Sequence, residues 1–206
     1  MKRSIIVTAL LGVLVLPGSA QKTLPEMRGI PMEKKGEDLS EWGVGDSFED
    51  IFEYEEVSAS SSLKPSGINR YDAEMAHDNN LKTAWVEGVR GDGVGSWLEY
   101  RLTPIQSEGT DRAITGLTIF NGYRKTQAAW KENGRIKRLR IEVDGKPYGT
   151  ILLADTPRYQ SVNIGRIPLV RNKKVLLRFV ILSVYPGTKH RDTALTELGF
   201  EGTGIY

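Results

Sequence analysis

The sequence predicts an all-β fold, a single β-sandwich or jelly roll that follows a signal peptide and an irregular arm. Three observations support this prediction. Short segments in which apolar and polar residues alternate recur from Tyr54 onward, and such alternation is typical of strands with one face in solvent. Gly, Pro, Asn and Asp residues separate these segments, as they do in sandwiches and jelly rolls. No stretch of this part of the chain keeps apolar residues at helical spacing for three turns.

The first twenty residues have the layout of a secretory signal peptide. Lys2 and Arg3 precede the apolar run 5–16, and small residues at 18–20 follow it, which is the order of the three regions of such a peptide. The run is too short to span a bilayer comfortably. We therefore expect cleavage after Ala20 and an exported product, secreted or periplasmic, with no transmembrane segment in the mature chain. The absence of cysteine excludes disulfides and a lipid-modified cysteine.

The charge pattern separates an acidic arm from the rest of the chain. The formal charge of +2 falls to zero when Lys2 and Arg3 leave with the signal peptide, and an exported, neutral chain is not expected to bind nucleic acid. Residues 21–60 hold eleven acids and only four bases. This charge density and the absence of any sustained period indicate a linker or loosely ordered arm over 21–53, followed by the domain at 54–206. An acidic arm that lies on a basic body is the alternative.

The expected strands can be placed in order along the domain. Three segments alternate between apolar and polar residues, 98–102, 138–143 and 162–164, and the apolar segment 151–153 lies between the last two. Asp144 and Gly145 predict a tight hairpin turn after the second of these. Residues 175–185 are almost continuously apolar, which indicates a central strand covered on both faces. Leu198 and Phe200 predict one more strand near the end of the chain.

Residues 77–97 contain the clearest sign of a binding site. Oxygen side chains at Asp78, Asn80 and Thr83 follow one another closely, and such ligands suit a hard cation such as calcium. The alternative is an Asx turn, in which Asp78 and Asn80 bond to their own backbone. No nucleophile with a neighbouring base occurs in this run, so it predicts binding and not catalysis. Four glycines allow positive φ and leave room for a partner: Gly88, Gly91, Gly93 and Gly95.

Aromatic and polar residues in loop segments predict a sugar-binding face. Aromatic rings pack on the C–H groups of a sugar while polar neighbours bond to its hydroxyls, and binding residues concentrate in loops on a rigid scaffold. Trp85, Tyr123 and Trp130 are the candidate platforms, and a polar segment between Tyr123 and Trp130 favours these two. Trp85 and Trp97 are more often core residues in a domain of this size. The candidate polar partners are Glu87, Asn121, Asn133, Arg135 and Asp192.

Three other interpretations stay open. A basic cluster between Arg124 and Arg140 favours an anionic glycan or phosphate, or is a solvated strand face. A carboxylate pair such as Glu87 with Asp192 would imitate a glycosidase site, although the chain has only two histidines and no Gly-x-Ser-x-Gly elbow. Apolar residues clustered at loop tips would instead favour an extracellular protein- or membrane-interaction module.

Four segments carry a resemblance to a known family. Residues 76–85, Ala-His-Asp-Asn-Asn-Leu-Lys-Thr-Ala-Trp, resemble the Asp-Gly-Asn/Asp-x-x-Thr-x-Trp signature of discoidin-type (coagulation-factor C-type) jelly rolls, which bacterial galactose-binding carbohydrate modules share. Together with residues 85–97, 121–135 and 192–198, they look like the translocation or glycan-binding domain that precedes the catalytic part of streptococcal secreted NAD glycohydrolases. The similarity covers roughly residues 54–202.

The resemblance implies an eight-stranded, galactose-binding-like jelly roll that is non-catalytic and binds glycan, such as cell-surface carbohydrate, with loops at one end. It also implies that Glu197 joins Asp78, Asn80 and Thr83 as a ligand of a structural calcium ion. Asn79 stands where the family motif usually has glycine, and asparagine tolerates the left-handed backbone that the turn needs. NAD hydrolysis is not implied, because the resemblance is to the part that precedes the catalytic one.

Overall fold

A computed structural model describes residues 23–33, 52–105 and 112–203. The predicted signal peptide and residues 34–51 of the predicted arm lie outside them. The described residues are mostly strand, with the α-helix α1 (Gln127–Glu132) and a 3-10 helix at Ala73–Ala76, and none of these helices could cross a membrane. The all-β prediction is confirmed. The strands are β1 (Glu26–Arg28), β2 (Ile30–Pro31), β3 (Phe52–Ala59), β4 (Trp85–Val86), β5 (Trp97–Pro104), β6 (Ala113–Asn121), β7 (Gly134–Val143), β8 (Lys146–Leu152), β9 (Gln160–Pro168), β10 (Val175–Tyr185) and β11 (Thr193–Thr203).

The strands form two layers that are hydrogen-bonded to each other at one end. One layer has the order β2-β9-β6-β11, with β4 on the start of β11, and the other has the order β1-β8-β7-β10-β5-β3. The layers join where Thr193 and Ala194 of β11 pair in parallel with Gly134 and Arg135 of β7. The starts of β7 and β11 therefore lie at the same end of the sandwich, together with the end of β6, which runs antiparallel to β11.

The inward-facing residues of both layers form one core. Along β5, every second residue is buried, as the alternating pattern predicts. Phe200 of β11 meets the rings of Phe52, Tyr100 and Phe179 from the opposite layer, with centroid distances of 5.9, 5.1 and 6.1 Å. Such aromatic pairs contribute about 0.5–1.5 kcal/mol each beyond their buried area. The two layers are thus one jelly-roll sandwich.

The predicted hairpin connects β7 to β8. Asp144 and Gly145 have φ values of 49° and 74°, and a type I′ turn requires positive φ at both of its central positions. The carboxylate of Asp144 also accepts a hydrogen bond from the backbone N–H of Leu176 at 3.1 Å. The turn is therefore fixed both by its own backbone and by the neighbouring strand β10.

The strand that is covered on both faces is β11 and not β10. Leu176, Arg178 and Leu182 on the outer face of β10 are only partly buried, and Arg178 bonds there to Glu99 at 2.6 Å. Every residue of β11 from Thr193 to Phe200 is buried. The prediction for residues 175–185 was wrong in this respect. The threonines, glutamate and glycine of β11 lower its hydropathy, so its burial was not evident.

Part of the segment predicted as a loose arm lies on the domain. β1 runs parallel to β8, with Met27 opposite Ile151, and β2 pairs with β9. Gly149 of β8 leaves room for this segment, because a Cβ atom there would lie 2.5 Å from the methyl carbon of Met27. Arg138 of β7 also donates to Glu26 at 2.9 Å. Strands of two and three residues are too short to show a period in the sequence.

Candidate functional site

The loop that follows the 3-10 helix folds around its own oxygen side chains. Asp78 accepts hydrogen bonds from the hydroxyl of Thr83 at 2.8 Å and from the backbone N–H of Asn80 at 3.0 Å. The side-chain oxygen of Asn80 accepts from the N–H of Lys82 at 3.0 Å. Asn79 has a φ of 56°, the left-handed conformation expected where the family motif has glycine. These are the contacts of the Asx turn that was the alternative to a cation site.

Glu197 reaches this loop from β11. It is buried, and its Oε1 accepts from the backbone N–H of Asn80 at 3.0 Å. Burial raises the pKa of Glu197 to about 8, and although the bond from Asn80 lowers it, the neighbouring Asp78 carboxyl raises it. At neutral pH a carboxyl with this pKa is mostly protonated, so Glu197 adds little negative charge to the loop.

The structure brings together the four residues predicted as calcium ligands. Two carboxyls, an amide oxygen and a hydroxyl are oxygen donors of the kind that calcium prefers. The same atoms already satisfy one another and the loop backbone, so a cation would compete with these bonds. Among the described residues, no group of three or more His, Cys, Asp or Glu side chains is arranged to hold a metal. Calcium would need backbone carbonyls of the loop as further ligands.

A cavity of about 270 Å³ opens where β6 ends and β7 and β11 begin. Three predicted ligand residues line it, namely Tyr123, Asn133 and Asp192. Each follows or precedes one of these strands, so the topology places them together. The ring of Tyr123 meets that of Tyr71 edge to face, with centroids 6.2 Å apart. The buried side chain of Val86 forms part of the apolar lining.

The polar side chains of this cavity can accept and donate hydrogen bonds. Asn133 donates its Nδ2–H to the carbonyl of Ala129 at 2.9 Å, and its side-chain oxygen points to no donor among the described residues. In that part of the chain, the carboxylate of Asp192 also forms no ion pair or hydrogen bond. Glu132 lies 3.9 Å from Nε2 of His190. The cavity therefore offers two carboxylates, an amide oxygen and an imidazole beside two aromatic rings.

Glu87, another predicted ligand residue, is buried beneath the loop that follows it. Its carboxylate accepts from the backbone N–H of Val89 at 2.8 Å and from that of Thr193 at 3.1 Å. Burial raises the pKa of Glu87, while these two bonds lower it. A Cβ atom on Gly93 would lie 2.5 Å from Cγ of Glu87. Glu87 thus fills the space beside Gly93. Its carboxylate also connects this loop to β11.

Asn121 and Arg135 are also buried and bonded within the protein. Asn121 donates to the carbonyl of Ile136 at 2.7 Å and accepts from its N–H at 2.9 Å. Arg135 forms a bidentate pair with Asp155 at 3.0 and 2.9 Å and donates to the carbonyl of Pro186 at 2.9 Å. These side chains hold β6, β7 and the loop before β11 in place, and neither lines the cavity of Tyr123.

The tryptophans occupy different environments. Trp130 lines a second cleft on the other side of α1 and not the cavity of Tyr123. Trp85 is a core residue, as its residue type predicts, and donates to the carbonyl of Ser61 at 3.0 Å. Trp97 is partly buried, and the guanidinium of Arg178 lies 4.4 Å from its ring centroid. Neither Trp85 nor Trp97 faces the cavity.

Three polar or aromatic residues of the cavity were not predicted as ligand residues, namely Tyr71, Glu132 and His190. His190 precedes Asp192 by two residues in a polar loop, a signal that could have indicated it. Glu132 follows from α1, a helix too short to show a period in the sequence. Tyr71 has no comparable signal, because its place beside Tyr123 depends on how the loop before β4 folds back.

Comparison with protein families gives one match over most of the chain. The model of a family described as the NAD glycohydrolase translocation F5/8 type C domain matches residues 49–201. This range contains every residue of the cavity and of the oxygen-rich loop. No curated protein matches the chain in sequence.

Several solved structures are similar to parts of the chain. The mycobacterial arabinofuranosyltransferase AftD shares 17% sequence identity with a TM-score of 0.46, over 74% of this chain and 12% of that one. A Bacteroides thetaiotaomicron fragment provisionally assigned as a chitobiase shares 14% identity with a TM-score of 0.45, over 75% and 90% of the two chains. The Streptococcus pneumoniae β-galactosidase BgaA shares 9% identity with a TM-score of 0.34, over 76% and 94%.

Proposed function

The chain belongs to the NAD glycohydrolase translocation F5/8 type C domain family, and from this membership we propose that it is an exported, non-catalytic module that binds glycan. The proposed site is the cavity formed by Tyr71 and Tyr123 with Glu132, Asn133 and Asp192. One observation carries the proposal: two tyrosine rings and several hydrogen-bonding groups meet at one end of a rigid sandwich. Aromatic surface beside a few placed polar groups is the usual composition of a sugar site.

The groups of the cavity match the chemistry of a neutral sugar. A tyrosine ring packs against the C–H face of the sugar, while Asp192 and the side-chain oxygen of Asn133 accept bonds from its hydroxyls. The volume of about 270 Å³ is just below the range of about 300–1,000 Å³ for drug-sized ligands, which suits one or two sugar rings. Because such a small, open site buries little surface, we expect weak binding that is strengthened by many copies of the glycan on one surface.

A glycan array tests this proposal. We expect wild-type protein to bind a defined set of neutral glycans, and Tyr123→Ala and Asp192→Asn to lose that signal. Glu56→Gln is the matched control, since it makes the same acid-to-amide change at the exposed Glu56 on β3. Binding that survives both site variants would move the site elsewhere. Release of reducing sugar from a bound polysaccharide would contradict the non-catalytic part of the proposal.

An interaction with protein or membrane is the second candidate function, and exposed apolar residues on the same loops favour it. Ile68 is 97% exposed, and Val89 and Val94 are 41% and 60% exposed. Apolar side chains at loop tips can enter a lipid surface or a protein groove. A blank glycan array together with sedimentation on lipid vesicles, lost in Ile68→Ser, would favour this function over glycan binding.

We also propose that calcium binds at Asp78, Asn80, Thr83 and Glu197 as a structural ion. The proposal is supported by the oxygen donors of these residues and by the hydrogen bond between Asn80 and Glu197, which already links the loop to β11. When bound, the ion would supply positive charge in place of the proton that Glu197 keeps. It would then stabilise the end of the sandwich without taking part in a reaction.

A further inference from the structure

We infer that the cleft on the other side of α1 is a second binding site, for a saccharide that carries a carboxylate or sulfate group. The cleft has a volume of about 440 Å³, within the range of about 300–1,000 Å³ typical of small-molecule sites. Its lining includes an aromatic ring, two cations, an amide and a carboxylate: Trp130, Arg124, Lys131, Gln127 and Asp155. It shares no lining residue with the cavity of Tyr123.

The aromatic wall of this cleft is held rigidly. The indole N–H of Trp130 donates to the carbonyl of Asn121 at 2.9 Å. The guanidinium of Arg135 lies 4.8 Å from the Trp130 ring centroid and is itself fixed by Asp155. A Cβ atom on Gly122 would lie 2.8 Å from the indole, so the backbone there also supports the ring. A ring that is already ordered loses little conformational entropy when a sugar packs on it.

The charges of the cleft favour an anion. Both carboxylate oxygens of Asp155 are bonded to Arg135, so this pair contributes little net charge. Arg124 and Lys131 add two positive charges to the lining. The guanidinium of Arg124 lies 4.8 Å from the ring centroid of Phe120, which fixes its position. An anionic group beside a ring that covers Trp130 would therefore be attracted by both cations.

The short helix α1 separates two chemically different sites. Gln127, Trp130 and Lys131 line the cleft, whereas Ala129, Glu132 and Asn133 line the cavity of Tyr123. Each set has the spacing i, i+3, i+4, which places its members on one face of a helix. The cleft therefore receives a lysine from α1, and the cavity receives a glutamate. A neutral sugar suits the cavity, and an acidic sugar suits the cleft.

Calorimetric titration of the purified chain tests this inference. The probes are oligogalacturonate, which carries carboxylates, a heparin-derived oligosaccharide, which carries sulfates, and a neutral galacto-oligosaccharide. We expect an acidic oligosaccharide to bind to this cleft more tightly than the neutral one does. Added salt should weaken the binding of the acidic oligosaccharide. Lys131→Gln should weaken that binding by about fivefold, because it removes one charge from an exposed position. Trp130→Ala should abolish it, and Trp130→Phe should retain part of it in a chain that still folds.

Controls separate this site from the glycan site and from general charge. Lys146→Gln removes the same charge at the hairpin tip, the opposite end of β7, and should leave the affinity unchanged. Tyr123→Ala should also leave it unchanged, so the glycan proposal and this one fail independently. Equal losses in Lys146→Gln and Lys131→Gln would overturn the inference. Inorganic sulfate that binds as tightly as the acidic oligosaccharides would overturn it too, because such binding does not use the Trp130 ring.

Discussion

At the scale of single residues, several polar side chains that resemble ligand groups instead satisfy the protein backbone. Glu87 accepts two backbone N–H groups, and Asn121 bonds both backbone groups of Ile136. A buried backbone group without a partner costs as much as a lost hydrogen bond. The loops around the cavity of Tyr123 depend on these bonds, so the buried side chains would affect the proposed ligand binding through the position of the loops.

Replacing Glu87 tests this role. Glu87→Ala leaves the N–H groups of Val89 and Thr193 without their acceptor, which should lower the free energy of unfolding by about 2–3 kcal/mol. Urea denaturation measures the change. Glu53→Ala, at an exposed position on β3, is the control and should change the stability by less than about 0.5 kcal/mol. Equal effects of the two substitutions would contradict the role assigned to Glu87.

Glu197 predicts that stability depends on pH. Its pKa is about 8 in the folded protein and 4.5 as its ordinary value, so the folded state binds more protons than the unfolded state between these values. The contribution of Glu197 to the free energy of unfolding is therefore greatest below about pH 4.5, and it falls as the pH rises toward 8. The slope approaches about 1.4 kcal/mol per pH unit at most.

Urea denaturation in chelator between pH 5 and 8 measures this dependence. Glu197→Gln stays neutral and should remove the share of the slope that belongs to Glu197. The raised pKa values of Glu87 and Glu201 leave a slope of the same sign, and the lowered pKa of His77 opposes it. A wild-type protein that gains stability from pH 5 to pH 8 would contradict the raised pKa of Glu197.

The sequence indicated which polar and aromatic residues lie near the site, but it did not show which of these side chains are buried. Tyr123, Asn133 and Asp192 were predicted and line one cavity, because each lies beside the end of a strand and these ends meet. Glu87 and Arg135 also have polar side chains that could bind a ligand, but both side chains are buried. Their burial depends on partners such as Asp155 that only the folded chain brings near, and no local pattern reports it.

At the scale of elements, the loop after the 3-10 helix and the strand β11 form one unit. Glu197 of β11 accepts from the loop backbone at Asn80, and Thr193 at the start of β11 bonds to Glu87. Loops on both sides of β4 are thereby attached to a single buried strand. A cation at the oxygen-rich loop would act on the same attachment.

Calcium should therefore raise the stability of the folded chain. An ion that binds only the folded state adds about 2.7 kcal/mol when its concentration is a hundred times Kd. Asp78→Ala removes one carboxylate and should eliminate this gain. Because the ion must displace the proton of Glu197, the gain should be larger at pH 8 than at pH 6. Thermal melts with calcium and with chelator measure it, and identical melting temperatures for wild type would mean that the loop is an ordinary turn.

Several strands with one face in solvent were predicted, since alternation then appears in the sequence. The strands at 98–102 and 138–143 and the turn at Asp144 and Gly145 follow this rule. β11 escaped the correct description because a strand buried on both faces carries threonine and glutamate that bond inside the protein. β1 and β2 were not predicted, because their stability comes from pairing with β8 and β9 and not from an alternating pattern of their own.

At the scale of the whole molecule, the sandwich is a rigid support for the two proposed sites on either side of α1. The β-sandwich was predicted from alternation and turn residues and the jelly roll from the family resemblance, whereas the division into an acidic and a basic side depends on the position of a helix of six residues. One end of the molecule thus presents both sites. A glycan that contains neutral and acidic sugars could contact both at once and gain avidity.

The segment at residues 23–33 should stabilise the whole sandwich. Its backbone bonds to the edges of both layers: Thr150 donates to Pro25 at 2.9 Å, Gly29 donates to Leu152 at 2.9 Å, and Met32 pairs with Tyr159. Each such bond contributes about 0.5–1.5 kcal/mol, and part of this gain is offset by the entropy lost on ordering the segment. A chain that begins at residue 34 should therefore be about 1–3 kcal/mol less stable than one that begins at residue 23.

Urea denaturation of these two truncated chains measures the difference, and the chain from residue 23 serves as the control for removal of the preceding residues. The shorter chain also leaves the edges of β8 and β9 unpaired, and unpaired strand edges promote association. Light scattering at increasing protein concentration should show larger particles for the shorter chain alone. Equal stability and equal size of the two chains would mean that β1 and β2 rest on the domain without holding it together, and the acidic residues that follow them would then be free to act as a tether.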